Sequence, residues 1–397
     1  MNAQPLDGIT VLDFGQVYNG PYCGFLLAQA GARVIKVESL IGETLRARGD
    51  ASAASYAFAM LNANKESITL NIKSEEAQAL VKQLAGEVDV VFENFAPGTM
   101  AKYGIGPEDL RKENPRLIYA SSTGYGAVGP HRDFLGMDIT LQAMTGVMSV
   151  TGEEGGPPLK TVAAFADFIA GTHLYAGIVS ALLGRERTGE GATVDVSMQD
   201  CVFPTLATAL GSYYVAGGVQ QPRGGNHHPG RALAPYNVYE ARDGHIAIIC
   251  IREGHWKKLC AAMERPDLAE DPRYAKMDDR CANMEAVDEL VSEWTRARTK
   301  AEIFAITQAN GVICAPVQDL ADVVNDEHML SRGSLQKRPH PGFGETSQCQ
   351  TPIRFIDIDP PTLTDPPALG ADTDRVLGEL AGLSGEALSA LRDKGAI

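Results

Sequence analysis

Between Gly8 and Glu38 the chain spells out a strand, a loop, a helix and a second strand within about thirty residues, and this narrows the fold more than any other stretch. Gly8 to Phe14 (GITVLDF) is an apolar strand-like run. Pro21 to Ala30 (PYCGFLLAQA) carries proline in its first turn, as helices favour, and Arg33 to Glu38 (RVIKVE) reads as the next strand. Such a βαβ unit crosses over right-handed, and its first loop lies at a strand's carboxyl end, where open α/β sheets bind ligands. A dinucleotide is the obvious occupant. The loop Gly15-Gln16-Val17-Tyr18-Asn19-Gly20 nevertheless lacks the G-x-G-x-x-G spacing that lets a pyrophosphate approach the backbone, so a nicotinamide dehydrogenase is disfavoured.

Further along, Arg46, Arg48, Lys65, Lys73 and Lys102 gather cations in a chain whose net charge is -15, and they mark where an anionic nucleotide is expected. The same acidic balance argues against a broad nucleic-acid surface. SEEAQALVKQLAGE reads as a helix, Val88 to Phe92 and LIYASSTGYG as strands, and ITLQAMTGVM after Asp138 as a helix that Asp138 would cap. ATVDVSM adds a strand, and the first domain is expected to end near residue 220. The Gly- and Pro-rich loop Pro222 to Leu233 is a candidate hinge or lid; its adjacent His227 and His228 point apart and do not make a metal site. A hairpin around Arg242-Asp243-Gly244 follows, then helical patterns at 253–263, 278–298 and 300–310. Proline-rich segments at 339–341 and 360–367 suggest a long extended return before a final helix from Ala371 toward Leu391. The seven cysteines form no C-x-x-C pair and read as free thiols of a reducing cytosol. MNAQPLDGITVLDFG shows no basic leader with an apolar core, so a cytoplasmic location is the expectation.

The run TVAAFADFIAG, Thr161 to Gly171, surrounds Asp167 with apolar neighbours and offers no charge partner. An ionised carboxylate is expensive there. On these residues alone Asp167 reads first as the N-cap of the helix that follows, and second as a nucleophile able to attack an activated carbonyl. The run is long enough to cross a membrane, but Asp167 and His173 interrupt it and no second such segment follows.

Taken in order, VLDFGQVYNGP, GARVIKVE, GETLR, NKESITLNIK, VVFENFAPGTM, TGYGAVGP, AAFADFIAG, GATVDVSM, GVICAPV and ALGADTDRVLGEL resemble the class III coenzyme A transferases, over nearly the whole chain. That superfamily also holds formyl-CoA transferase, carnitine CoA-transferase and α-methylacyl-CoA racemase. The resemblance implies an α/β fold: a Rossmann-like large domain (1–220), a smaller mixed α/β domain (221–325), and a linker with a C-terminal return (326–397). It also implies two subunits interlocked as a homodimer. Substrates would be an acyl-CoA and a carboxylic acid, with no permanently bound cofactor, no metal, no nucleic acid and no membrane.

In the transferases of that superfamily an aspartate matching Asp167 attacks the acyl-CoA thioester and passes through a mixed anhydride and an aspartyl-CoA thioester. The resemblance thus makes Asp167 the nucleophile, with Asp138 orienting substrate or intermediate. Val17, Tyr18, Arg46, Leu70, Asn94, Phe95, Lys102 and Tyr125 match CoA-contacting positions, and Gly224 and Gly225 a glycine-rich lid. Formyl-CoA transferase carries glutamine where Tyr18 stands, and Glu43 replaces the usual aspartate of the arginine motif. Racemases carry histidine before the aspartate matching Asp138. This chain reads Gly136-Met137-Asp138, and a thioether is no base, so an α-methylacyl-CoA racemase or epimerase is the alternative.

Overall fold

The computed structural model describes residues 3–46, 49 and 52–397; Arg48, counted among the nucleotide-binding cations, lies outside the described residues. The chain forms two compact units. The first comprises Met1–Thr145, Thr161–Pro204 and Val324–Ile397, the second Gly146–Lys160 and Thr205–Val323. The second unit thus begins before residue 220, because the Ala207–Val215 helix packs on the Pro229–Arg231 turn.

Six strands build the first unit's sheet: β1 (Thr10–Phe14), β2 (Arg33–Glu38), β3 (Lys65–Thr69), β4 (Val90–Glu93), β5 (Ile118–Thr123) and β6 (Thr193–Ser197). All pair in parallel, in the order β3-β2-β1-β4-β5-β6. The central strands β1 (TVLDF) and β4 (VVFE) are mostly apolar and buried along nearly their whole length, as strands covered on both faces are, whereas the edge strand β6 (TVDVS) is partly exposed. The order reverses between β1 and β4, where Leu12 sits level with Ile35 on one side and Val91 on the other. Such a reversal of strand order, at the carboxyl ends of the strands, is where open α/β sheets bind ligands.

One face of the sheet is covered by Leu80, Val81 and Leu84 of the Glu75–Glu87 helix, and by Val376, Leu377 and Leu388 from the end of the chain. Hydrogen bonds secure that return: Asn71 N–H donates to Ala396 O (2.8 Å), and Ser67 N–H to the Asp372 carboxylate (2.9 Å). The single final helix expected from 371 to 391 is two, Thr373–Ala381 and Gly385–Asp393. Gly382 ends the first in the left-handed region (φ 64°) and Ser384 caps the second. The Pro339 region, expected to be extended linker, forms an antiparallel hairpin of Leu335–His340 with Gly344–Cys349.

On the other side lies the long helix Phe165–Thr188, against the Asn19–Gln29 helix, β5 and β6. Its buried stripe, Ala166, Ala170, Leu174, Ile178 and Leu182, repeats every four residues. A Cβ at Gly171 would stand 2.6 Å from Asn19 O, so only glycine permits this helix contact. By length and composition the helix could cross a membrane; here its stripe faces protein.

The second unit has a three-stranded antiparallel sheet, Tyr236–Ala241, Gly244–Ile249 and Ile313–Pro316, over a core that includes Trp256, Leu259, Val287 and Ile303. The helix expected from 278 to 298 is interrupted at Asn283 into Met277–Ala282 and Met284–Arg296.

Beneath the β1 loop two opposite charges are fully buried. Lys65 Nζ lies 2.7 Å from Asp13 Oδ2 and also donates to Pro21 O and Asn62 Oδ1, each at 3.0 Å. Lys65, expected to meet an anionic ligand, is therefore an internal counter-ion. Removing one partner strands a buried charge, so Lys65→Met is expected to lower unfolding free energy by about 3–5 kcal/mol, and Lys65→Met with Asp13→Leu by clearly less. Equilibrium denaturation in guanidinium measures both.

Candidate active site

The loops after β1 and β4 are tied to each other. Gln16 N–H donates to Asn94 Oδ1 (2.7 Å), and Asn94 Nδ2 returns a bond to Gln16 O (3.0 Å). These bonds position Val17, whose φ of 64° lies in the left-handed region that β-branched residues avoid. The strain is held from below. Val17 N–H donates to Glu43 Oε2 (3.1 Å), Lys36 Nζ donates to Gly15 O (2.9 Å), and buried Lys36 and Glu43 stand 3.7 Å apart. Burial pushes the Glu43 carboxyl above its usual range, against the pull of Lys36 and of the Val17 N–H.

The helix Phe165–Thr188 starts at Ala164, which has no side chain able to cap it. Its cap comes from the Asp138–Met144 helix, where Asp138 Oδ1 accepts the Ala166 N–H at 2.9 Å. Asp138 Oδ2 accepts from Gln142 Nε2 at 2.6 Å, and Gln142 Oε1 accepts the Thr161 N–H at 2.9 Å. The N-cap role considered for Asp167 thus belongs to Asp138, because Asp167 stands three residues past the cap position, Ala164, inside the first turn of the helix. Among the described residues no group donates a hydrogen bond to the Asp167 carboxylate. Burial first, and the Asp138 charge second, push its pKa up to about 7. Phe168, beside it, packs against Tyr22 (4.8 Å between ring centroids) and stacks on Tyr18 (6.1 Å).

A cavity of about 450 Å³ opens at the ends of β1 to β4, lined by Gln16, Glu38, Leu70, Lys73, Phe95 and Tyr103 among others. Leu70 and Phe95 are thus brought together, and Asn94 sets the adjoining loop. Lys102 is not among the cavity's lining residues; exposed, it lies 5.7 Å from the Tyr103 ring centroid. Arg46 is already committed: its guanidinium grips Glu38 at 2.8 and 3.0 Å, donates to Pro367 O and lies 4.1 Å over the Phe58 ring. Burial works to raise Glu38, but Arg46 and Lys36 outweigh it and hold the carboxyl low. Arg46 lines a separate cavity of about 620 Å³, with His340 and Pro367. Tyr125 joins His131 and Phe134 in an aromatic cluster. Gly224 and Gly225 belong to the second unit, where the neighbouring His227 meets Asp288 at 2.7 Å. Among the described residues no group of three or more His, Cys, Asp or Glu is placed to hold a metal ion.

Sequence reasoning missed Lys36 and Gln142, and met Glu43 only as a replacement in the arginine motif, not as the acceptor of the Val17 N–H. For Gln142 a signal existed, since it follows Asp138 by four residues on a helix, a spacing at which side chains meet.

The model of the CoA-transferase family III matches residues 6–373. The chain belongs to this family. It is 38% identical over 366 residues to a succinyl-CoA:mesaconate CoA-transferase of Haloarcula marismortui, covering 89% of this chain and 91% of that one. A formyl-CoA:oxalate CoA-transferase of Streptomyces coelicolor is 34% identical over the full length of both. A CAIB/BAIF family protein of Brucella suis superposes with a TM-score of 0.83 at 35% identity, over 96% of this chain and all of that one. This family III CoA-transferase uses CoA thioesters as substrates. The named relatives are transferases, and exposed Met137 supplies no base, so racemisation is not favoured.

The raised Asp167 carries a stability signature. Its folded value of about 7 lies above the ordinary 3.8, so its contribution is full below 3.8 and lost as pH rises through about 7. Above about pH 7, Asp167→Asn is expected to be the more stable protein, by about 2 kcal/mol after discounting for partial exposure, with the gap closing toward about pH 4. Urea melts of both proteins across that range check the sign.

Proposed function

We propose that this transferase moves CoA from an acyl-CoA donor to a carboxylic acid through covalent intermediates on Asp167. The observation that carries the reading is the Asp167 carboxylate itself, with no hydrogen-bond donor among the described residues and raised to about 7 by burial and by Asp138. Such an anion is poorly stabilised in the ground state and correspondingly nucleophilic.

Asp167 attacks the thioester carbonyl carbon, the C–S bond breaks, and CoA leaves as thiolate with an aspartyl anhydride left behind. The thiolate attacks the Asp167 carbonyl of that anhydride, releasing the donor's acid and forming aspartyl-CoA. The acceptor carboxylate attacks the carbonyl carbon of this thioester, the C–S bond breaks and CoA leaves again as thiolate, giving a second anhydride. Thiolate then attacks its acceptor carbonyl, which frees the new acyl-CoA and restores Asp167. No net proton is consumed, so the site's task is to keep water out and charges placed. In this reading the nucleotide of CoA occupies the cavity of about 450 Å³, against Leu70 and Phe95, with Lys73 and Lys102 as nearby cations. Val17 and Tyr18 border the thioester end, Arg46 shapes the path through Glu38 and Phe58, Tyr125 contributes from the rim, and the Gly224-Gly225 loop serves as the lid. Mesaconate and oxalate in the relatives' names suggest a small dicarboxylic acid as acceptor, and succinyl- or acetyl-CoA is the proposed donor.

The functional particle in this proposal is a homodimer, supported by exposed apolar side chains such as Phe134, Leu135, Tyr214 and Val215, which a second subunit would cover. A cytoplasmic location is supported by seven cysteines that are all free thiols.

Intact-protein mass spectrometry after mixing with a panel of acyl-CoAs tests the chemistry. A covalent CoA adduct is expected in the unmodified enzyme and absent in Asp167→Ala. An adduct that survives in Asp167→Ala, or none with any donor, removes the covalent reading. Sedimentation equilibrium is expected to give twice the chain mass.

A further inference from the structure

We propose that Gln142 is a positioning residue of the transfer reaction, holding the Asp138 carboxylate in one orientation beside Asp167. This rests on the reading of Asp167 as nucleophile. Gln142 is fully buried, and both ends of its amide are engaged, Nε2 by Asp138 Oδ2 (2.6 Å) and Oε1 by the Thr161 N–H (2.9 Å). Its orientation is determined, since the opposite one would set NH₂ against N–H and oxygen against carboxylate. A buried amide costs free energy unless it is satisfied, and here each bond ties down a different part of the site. One holds the segment leading into the Phe165–Thr188 helix. The other holds the carboxylate that caps that helix through Ala166 N–H. Gln142 therefore joins the Asp138–Met144 helix, the 161–164 approach and the helix that carries Asp167.

The consequence for the reaction is electrostatic. Held by Gln142 and Ala166, Asp138 keeps a negative charge near Asp167. While Asp167 is an anion, that charge raises its free energy. When Asp167 attacks, its charge passes to the departing thiolate and the repulsion between the two aspartates disappears. A repulsion present before the step and relieved during it accelerates the step rather than tightening binding. Freed from Gln142, Asp138 can turn away, and the helix cap and the relieved repulsion weaken together.

Two substitutions separate this from a packing role. Gln142→Met keeps the volume and removes both hydrogen bonds. Gln142→Glu keeps the acceptor for Thr161 but, when ionised, sets a carboxylate against Asp138. Steady-state rates would be read with the pH profile of CoA-adduct formation, followed by rapid quench and mass spectrometry. Both variants are expected to lose roughly ten- to hundredfold in kcat with KM for acyl-CoA changed by less than about twofold. The midpoint of adduct formation in Gln142→Met is expected to fall below that of the unmodified enzyme. The ratio of Gln142→Glu to unmodified rate is expected to climb as pH drops, because the introduced carboxyl, once protonated, can donate to Asp138. Unchanged kcat and midpoint, a loss confined to KM, or a ratio flat with pH overturns the proposal. If Gln142→Met does not fold, the pH dependence of Gln142→Glu decides alone. Asp167→Ala keeps the two readings apart: an adduct persisting there defeats the nucleophile assignment. An adduct lost there, with Gln142 variants that behave like the unmodified enzyme, defeats only the role of Gln142.

Discussion

A helix that begins Phe165-Ala166-Asp167 behind an alanine cap has no side chain of its own to satisfy its first N–H groups, and this protein meets the need from another helix. Asp138 reaches across to Ala166, and this leaves Asp167 uncapped beside a like charge. Because the cap is supplied from outside, the Asp167 carboxylate is not spent on its own backbone. Because the capping group is itself an acid, Asp167 acquires a like charge for a neighbour instead of a counter-ion. Burial supplies the larger part of the upward shift and the Asp138 charge adds to it, so the group that caps the helix also bears on the reactivity of the side chain beside it.

The β1 loop depends on charges used inwardly. In an acidic chain, clustered lysines and arginines suggest an anionic ligand, yet Lys65, Lys36 and Arg46 are each bound to a carboxylate, Asp13, Glu43 and Glu38 respectively. Lys36 and Glu43 also hold the loop backbone, at Gly15 O and Val17 N–H. That bracing is the physical reason a valine can persist at φ 64°, a conformation that costs about 1–3 kcal/mol and survives only where the surroundings impose it. Among the described residues, Lys73 and Lys102 are the cations of that set that remain exposed.

Much of the architecture could be read along the chain because its signals are local. β2 lies where RVIKVE placed it, and the hairpin of the second unit turns at Arg242-Asp243 as its turn residues indicate. The misreadings were also local in origin. A continuous helical pattern from 371 to 391 hid the stop at Gly382, and one from 278 to 298 hid the break at Asn283, since periodicity continues across a cap. Lys65 was misplaced because a lysine among polar residues in NKESITLNIK looks available to an anionic ligand, and only the sheet order sets it over Asp13, fifty-two residues earlier.

At the site the division is sharper. By itself the sequence determined that a carboxylate stands in an apolar run at the start of a long helix, that a βαβ unit opens the chain, and that glycine occupies position 171, where two helices touch. What caps that helix, what fills the space around the carboxylate and which cations remain free were decided by tertiary structure alone. Hydrogen bonds and burial depend on groups that meet in space. Ala166 and Asp138 are twenty-eight residues apart, Gln16 and Asn94 seventy-eight, and no pattern of neighbours records those meetings.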